Sequence, residues 1–193
     1  MFENFFSGVI HIIISLSAGV LGVIPGIEGH DAKFSTFEFN VVEDCILISA
    51  KIEDELNPRI DDIIKSGRPV RLKILAECYL AAQDKGPLHQ RSLLKSVRYN
   101  LLKKQYEIET GNSREKLIFK ENQEMWKAFL NIRDQFIFTS GDFLEEGKYY
   151  IKVTARLETE LEISGRKLDL MLFWNNNPPV AMTGLFDKTI FMF

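Results

Sequence analysis

The chain has 193 residues, of which 46% are hydrophobic, and 24 Lys and Arg against 27 Asp and Glu give it a formal net charge of −3 at pH 7. This length is enough for one domain with its own core. Residues 1–32 hold three acidic residues and no Lys or Arg, so residues 33–193 are electrically balanced. A balanced domain lacks the basic footprint of a general nucleic-acid binder, and we therefore expect no nucleic-acid partner.

The segment 5–27 contains no Asp, Glu, Lys or Arg. It is long enough to cross the hydrocarbon core of a bilayer as a helix, which takes roughly 20 apolar residues. A core helix of a globular protein normally shows one polar face, whereas the interruptions here, such as Ser7, Gly8 and His11, are small or weakly polar. We therefore predict that residues 1–32 are a signal peptide or a membrane anchor.

Both alternatives remain open at this point. A signal peptide normally begins with a basic region, and no Lys or Arg precedes Lys33. Residues 15–17 offer a small-x-small cleavage site, whereas Pro25-Gly26 would end a retained helix. In either case residues 33–193 are predicted to form a single β-rich extracytoplasmic domain. It would face the periplasm, anchored through residues 5–27, or be periplasmic after cleavage.

Alternating polarity dominates the chain from residue 34. The clearest run is 70–80, where apolar residues such as Leu72 and Ile74 alternate with charged ones such as Arg71 and Lys73. Alternation of this kind predicts antiparallel strands with one buried face. Four further runs show it: residues 37–41, 46–52, 149–157 and 168–174.

Two segments carry helical signals instead. Asn57-Pro58 is an N-cap followed by proline at the first helical position, and Gly67 suits a left-handed C-terminal residue. A second helix is predicted over 122–135 because Met125, Phe129, Ile132 and Phe136 follow at spacings of four, three and four. The predicted fold is mainly β: an antiparallel β-sandwich with two short helices packed on it, preceded by an N-terminal hydrophobic helix.

Acid–base groups of the kind that enzymes use are scarce. His89 is the only histidine in residues 33–193, and no P-loop, GxSxG or GxGxxG motif occurs. One histidine and the distant Cys45 and Cys78 form no zinc site without several carboxylates. The acidic pair Asp61-Asp62 is predicted on a solvated helix face. The sequence thus predicts a protein that is not an enzyme and holds no metal or cofactor.

Cys45 and Cys78 also leave a question about pairing. In an oxidising compartment they could form a disulfide. Two free thiols that never meet are the favoured alternative, because free cysteine is a commonly buried residue.

Residues 85–106 contain six basic residues and no acidic one. If this segment is a strand, Arg91 and Lys95 share one face while Arg98 takes the other. One interpretation is a solvated hairpin whose charges protect an exposed edge. The other is a surface that meets anionic lipid head groups or an acidic partner. The candidate interaction patch consists of Arg91, Lys95, Arg98, Lys103 and Lys104.

Four stretches carry a resemblance to a known family. They are LNP (56–58) with KSGRPV (65–70), LKSVRYNLLKKQY (94–106), the segment 126–136 followed by GKYY (147–150), and an aromatic C-terminus. Through them, residues 33–193 resemble a bacterial family of exported proteins catalogued as domain of unknown function 4390. The resemblance implies no activity and no catalytic residues. Members are encoded beside a membrane sensor kinase in some bacteria, which implies an extracytoplasmic accessory to signalling.

The sequence as a whole therefore predicts a non-catalytic interaction module of the cell envelope, outside the cytoplasmic membrane, with an envelope protein such as a sensor kinase as its partner. The alternative is a β-sandwich that carries a lipid or another apolar ligand. A filled interior without a pocket would count against that alternative.

Overall fold

The computed structural model describes residues 29–83, 86–111, 115–163 and 166–192. The hydrophobic helix predicted over residues 5–27 lies outside these ranges. Within them, no helix has both the length and the apolar character needed to span a bilayer.

Strands account for most of the regular structure in the described ranges, together with two α-helices. The strands are β1 (Lys33–Val42), β2 (Cys45–Glu53), β3 (Val70–Leu80), β4 (His89–Asn100), β5 (Gln105–Thr110), β6 (Lys116–Phe119), β7 (Asn131–Thr139), β8 (Tyr149–Thr159), β9 (Glu162–Ile163), β10 (Arg166–Lys167) and β11 (Val180–Met182). The helices are α1 (Pro58–Lys65) and α2 (Asn122–Phe129).

The strands form two main antiparallel sheets. One has three strands in the order β1-β2-β7, and the other has six in the order β11-β8-β3-β4-β5-β6, while β9 and β10 make a separate small pair. The sheets approach each other where β1 lies beside β11 and where β7 lies beside β4. The predicted fold class, a mainly β antiparallel sandwich with two short helices, is confirmed for the described residues.

A single hydrophobic core lies between the two sheets. Every second residue of β3 from Val70 to Leu80 is buried, as the sequence alternation predicted. The facing residues of β8 and β2 are buried in the same cluster. Each sheet therefore turns one apolar face inward, which is the arrangement that removes the most apolar surface from water.

The six-stranded sheet is wider than the three-stranded sheet that covers it. Because β7, the edge strand of the smaller sheet, lies beside β4, strands β5 and β6 extend beyond the three-stranded sheet. Helix α2 contacts this extension and buries Met125, Trp126 and Phe129. Eight residues of helix rise only about 12 Å, so α2 covers one end of the extension and leaves the other end open.

Helix α1 begins and ends as its sequence predicts. The side chain of Asn57 accepts a hydrogen bond from the Arg59 backbone N–H at 2.9 Å, and Pro58 occupies the first turn. Gly67 follows the helix with a φ of +84°, a conformation in which a side chain would be strained.

The prediction that Asp61 faces solvent is wrong, although its neighbour Asp62 is exposed. Asp61 is only 5% exposed and accepts hydrogen bonds from Tyr106 Oη at 2.7 Å and Asn122 Nδ2 at 2.9 Å. Its other partner is Lys65, whose Nζ lies 2.8 Å from Oδ2. One buried carboxylate thus joins α1, β5 and α2, and a buried charge requires such partners.

This junction generates a stability prediction. Replacing Tyr106 with Phe leaves the ring in place but removes one hydrogen bond to a buried carboxylate, a bond that contributes roughly 1.5–3 kcal/mol. We expect urea unfolding of Tyr106→Phe to show a loss of that size. Tyr99, whose ring meets that of Tyr106 edge-on at 4.9 Å, supplies the control: equal losses in Tyr99→Phe and Tyr106→Phe would contradict the account.

The second predicted helix is shorter than expected. It ends at Phe129, and residues 131–139 continue as β7. Register shifts interrupt the pairing of β2 with β7 opposite Ile46/Leu47 and Ile48/Ala50, so β7 is bulged. The extra residues break the two-residue period of β7, so Ile132 is buried whereas Phe136, at a spacing of four, is 38% exposed. That spacing resembles a helix in the sequence.

The prediction of a strand over residues 168–174 is also wrong. Residues Leu170–Trp174 form a 3₁₀ helix, which begins where the Asp169 side chain accepts a hydrogen bond from the Met171 N–H at 2.9 Å. Leu170, Met171, Phe173 and Trp174 are all buried. Apolar residues on three sides of one turn suit a buried 3₁₀ turn better than a two-faced strand.

The two cysteines are free thiols in different sheets. Cys45 is half-buried at the start of β2, whereas Cys78 is fully buried on β3. Burial, reinforced by the charge of Asp142, raises the pKa of Cys78 to about 12. This agrees with the alternative in which the thiols do not meet.

Candidate functional site

A cleft of about 370 Å³ opens between β7 and the inner face of β4. Its volume falls in the range of roughly 300–1,000 Å³ that small-molecule sites occupy. The apolar part of its lining includes Leu72, Ile74, Leu93, Leu117 and Ile132. The sandwich therefore has a cleft, open to solvent, beside its core.

The strand register explains which side chains line the cleft. On the inner face Leu93 of β4 lies opposite Ile74 of β3, and Lys95 lies between Leu72 and Thr110. Leu117 shares this face through its partner Ile108 and is 52% exposed. The cleft is thus the part of the inner face that neither α2 nor β7 covers.

Lys95 is the buried charged group of the cleft. It is only 9% exposed, and its Nζ donates hydrogen bonds to the Ala128 carbonyl at 2.6 Å and the Asn131 carbonyl at 2.7 Å. The Ala128 carbonyl belongs to the last turn of α2, where a positive charge is favourable. Burial, and to a smaller extent the charge of Arg133, lowers the pKa of Lys95 from 10.5 to about 8.

Arg133 supplies a second positive charge at the cleft. It lies on β7, is exposed, and forms no ion pair with a described residue. The side-chain amide of Asn131 is oriented so that its oxygen, and not its nitrogen, faces Arg133. This oxygen accepts hydrogen bonds from Arg133 Nε at 3.1 Å and Nη2 at 3.2 Å. No carboxylate from the described part of the chain lines the cleft. The cleft is therefore apolar with two cationic groups.

A second contact between the sheets lies further along β4. The Arg91 guanidinium sits 4.9 Å from the centre of the Phe136 ring on β7. Asp142 lies 3.9 Å from Arg91 and 4.0 Å from His89. A cation on an aromatic face is attracted by the ring quadrupole, so this contact holds β7 near β4 as the Lys95 hydrogen bonds do.

The candidate patch predicted from the sequence does not form one surface. Arg91 and Lys95 share the inner face of β4 as predicted, but Lys95 is buried. Arg98 is on the outer face, 3.3 Å from Glu107 and 3.5 Å from Glu109. Only Lys103 and Lys104 stay together, exposed in the turn between β4 and β5. That the patch binds a partner stays a prediction.

Two other concave surfaces have a different character. On the outer face of the large sheet, a depression of about 410 Å³ is lined by Lys73, Glu77, Arg156 and Glu158 among others. Opposite charges pair there, as in Lys73–Glu158 at 3.8 Å. A further depression of about 410 Å³ includes Lys51, Asp54 and Lys127. Surfaces lined by charges of both signs provide less apolar contact for a ligand than the lining of the cleft does.

The lining of the cleft places an apolar surface and two cationic groups side by side. Within the described ranges no three His, Cys, Asp or Glu side chains gather closely enough to hold a metal ion. Sequence reasoning missed Arg133 and Ile132 because it assigned them to a helix. It named Lys95 as a candidate but did not predict that Lys95 is buried. The alternation along β4 could have indicated this, because Lys95 lies on the same face of the strand as the apolar Leu93 and Val97.

The lowered pKa of Lys95 predicts a pH-dependent stability. Between the folded-state value of about 8 and the unfolded value near 10.5 the unfolded chain binds more protons, so stability rises with pH. We expect the free energy of unfolding of the wild type, relative to Lys95→Met, to increase by up to about 1.4 kcal/mol per pH unit in this window. Urea unfolding at several pH values measures it.

Lys73→Met, which removes one charge from the outer face of the same sheet, is the matched control for this experiment. A difference between wild type and Lys95→Met that stays constant from about pH 8 to about pH 10 would contradict the assignment.

Comparison with known proteins confirms the family resemblance that the sequence motifs indicated. A family model described as "Domain of unknown function (DUF4390)" matches residues 30–162, more than half of the chain. The match includes β1 to β8 and therefore every residue that lines the cleft. No curated protein and no solved structure matches the chain significantly.

Proposed function

The chain belongs to the DUF4390 family, and we propose that it is a non-catalytic binding protein of the bacterial cell envelope whose cleft holds an apolar chain with an anionic head group. The observation that carries the proposal is the lining of the cleft. Apolar side chains form most of it, and its charged groups are Lys95 and Arg133. This function is the ligand-carrying alternative that the sequence left open.

The two cations would have different tasks. Lys95 is already engaged with two carbonyls, so its charge contributes to the field in the cleft without needing a new partner. Arg133 is exposed and has a planar group that matches a carboxylate or phosphate. A head group near Arg133 would therefore leave the apolar chain to lie over Leu93 and Ile132.

A peptide added as an extra strand to β7 fits the geometry less well. The free edge of β7 is bulged, and Asp134 has a φ of 45°, outside the extended region. Lys95 already occupies the carbonyl of Asn131. Bulges and blocked carbonyls of this kind protect an edge from strand addition, so the side chains of the cleft are the better binding surface.

The location and partner belong to the proposal as well. Residues 1–32, as signal peptide or anchor, would deliver the domain to the outer side of the cytoplasmic membrane. An envelope protein such as a sensor kinase would then read the occupied state of the cleft. The family resemblance supports this arrangement. The proposal includes no enzymatic activity, cofactor or nucleic-acid partner.

Photolabelling tests the binding function on the full chain in its membrane. A diazirine analogue of palmitic acid is activated by light, and the labelled peptides are mapped by mass spectrometry. We expect label on the peptides that contain Leu93 and Ile132, and loss of label when excess palmitate competes. Arg133→Gln removes a charged hydrogen-bonding group and should reduce labelling roughly tenfold.

Arg156→Gln, which removes an exposed cation from the outer face, is the matched control and should label as the wild type does. Label spread over the surface, or equal labelling of Arg133→Gln and wild type, would overturn the proposal.

A further inference from the structure

The turn between β4 and β5 exposes two leucines. Residues 101–104 connect the paired residues Asn100 and Gln105, and all four are exposed. Leu102 is 96% exposed and Leu101 is 53% exposed. A leucine so fully in water contributes nothing to the core of this domain, and single turns are usually built from polar residues.

The turn holds these leucines in a fixed position. Asn100 Oδ1 accepts a hydrogen bond from the Lys103 N–H at 3.0 Å, and Asn100 Nδ2 donates to Glu107 Oε1 at 2.7 Å. Lys104 has a φ of 52°, the left-handed conformation that closes such turns. Leu102 therefore projects from an ordered hairpin rather than from a loose loop.

The surroundings of the leucines are basic. Lys103 and Lys104 follow Leu102 directly, and both are exposed. Leu101 lies close to the end of α1, since a Cβ on Gly67 would sit 3.6 Å from Leu101 Cδ1. The next residue there, Arg68, is exposed. The hairpin tip, defined here as residues 67–68 and 101–104, thus carries three cations and no carboxylate.

We propose that this hairpin tip inserts Leu102 into the interface of a lipid bilayer whose head groups are anionic. Lys side chains reach toward head groups while an apolar neighbour enters the acyl region, and anionic lipid attracts clustered basic residues. This surface is separate from the cleft: Lys95 lies six residues before Leu101 on β4, about 20 Å along the strand. The membrane contact proposed here is therefore independent of the ligand proposed for the cleft, and it would hold even if the cleft binds nothing.

The test places a tryptophan at the tip of the full chain. In Leu102→Trp the new indole reports on its surroundings, while Trp126 and Trp174 are buried in the core. The protein is incorporated into vesicles of phosphatidylethanolamine and phosphatidylglycerol that contain lipids brominated on their acyl chains. We expect a blue shift of the emission and strong quenching by bromine, and neither in vesicles of phosphatidylcholine.

Two further variants make the result specific. Leu144→Trp is the matched control, since Leu144 is 81% exposed in the loop before β8, at the opposite end of the large sheet from residues 101–104. Its emission should not be quenched. Adding Lys103→Gln and Lys104→Gln to Leu102→Trp should abolish most of the quenching, since each lysine near an anionic surface strengthens binding roughly fivefold.

Three results with vesicles would overturn the inference. They are no quenching of the indole at position 102, equal quenching at position 144, and quenching that survives the loss of both lysines. A blue shift without vesicles that grows with protein concentration would do so as well, because it would mean that the tip packs against a second copy of the chain. Each variant's thermal unfolding midpoint shows whether it is folded.

Discussion

The hydrogen bonds of one buried ammonium group hold the two sheets at the distance that keeps the cleft open. Lys95 on β4 donates to the carbonyls of Ala128 and Asn131, at the point where α2 ends and β7 begins. A buried cation is costly unless its donors are satisfied, so these bonds fix where β7 crosses the large sheet. The same ammonium group adds its charge to the cleft, so the proposed binding site and the packing of the two sheets depend on one residue.

The mismatch in width between the two sheets determines where the cleft opens. Three strands and a two-turn helix do not cover six strands, and the part left over is the inner face around Leu93 and Thr110. The contact of Arg91 with Phe136 at one end and of Lys95 with α2 at the other bounds this gap. An apolar concavity arises here from sheet widths, without any sequence motif.

The sheet architecture could be predicted because burial on one face imposes a period of two. Strand β3 shows it without interruption, and α1 has local signals at both ends, Asn57-Pro58 and Gly67. Prediction failed where tertiary contacts override local pattern. The helix-like spacing of apolar residues that begins in α2 continues into the bulged strand β7, where Ile132 is buried and Phe136 is exposed. Asp61 is buried because distant Tyr106 and Asn122 supply its partners. Of the candidate cleft, only Lys95 was among the sequence-derived site residues.

A crystal structure of the full chain with palmitate would show whether the cleft holds an apolar chain and its anionic head group. We expect density for the acyl chain in the cleft against Leu93 and Ile132. We also expect the carboxylate within hydrogen-bonding distance of Arg133 and intact hydrogen bonds from Lys95 to Ala128 and Asn131. A cleft closed by β7 moving onto β4, or left empty while palmitate binds elsewhere on the protein, would contradict it.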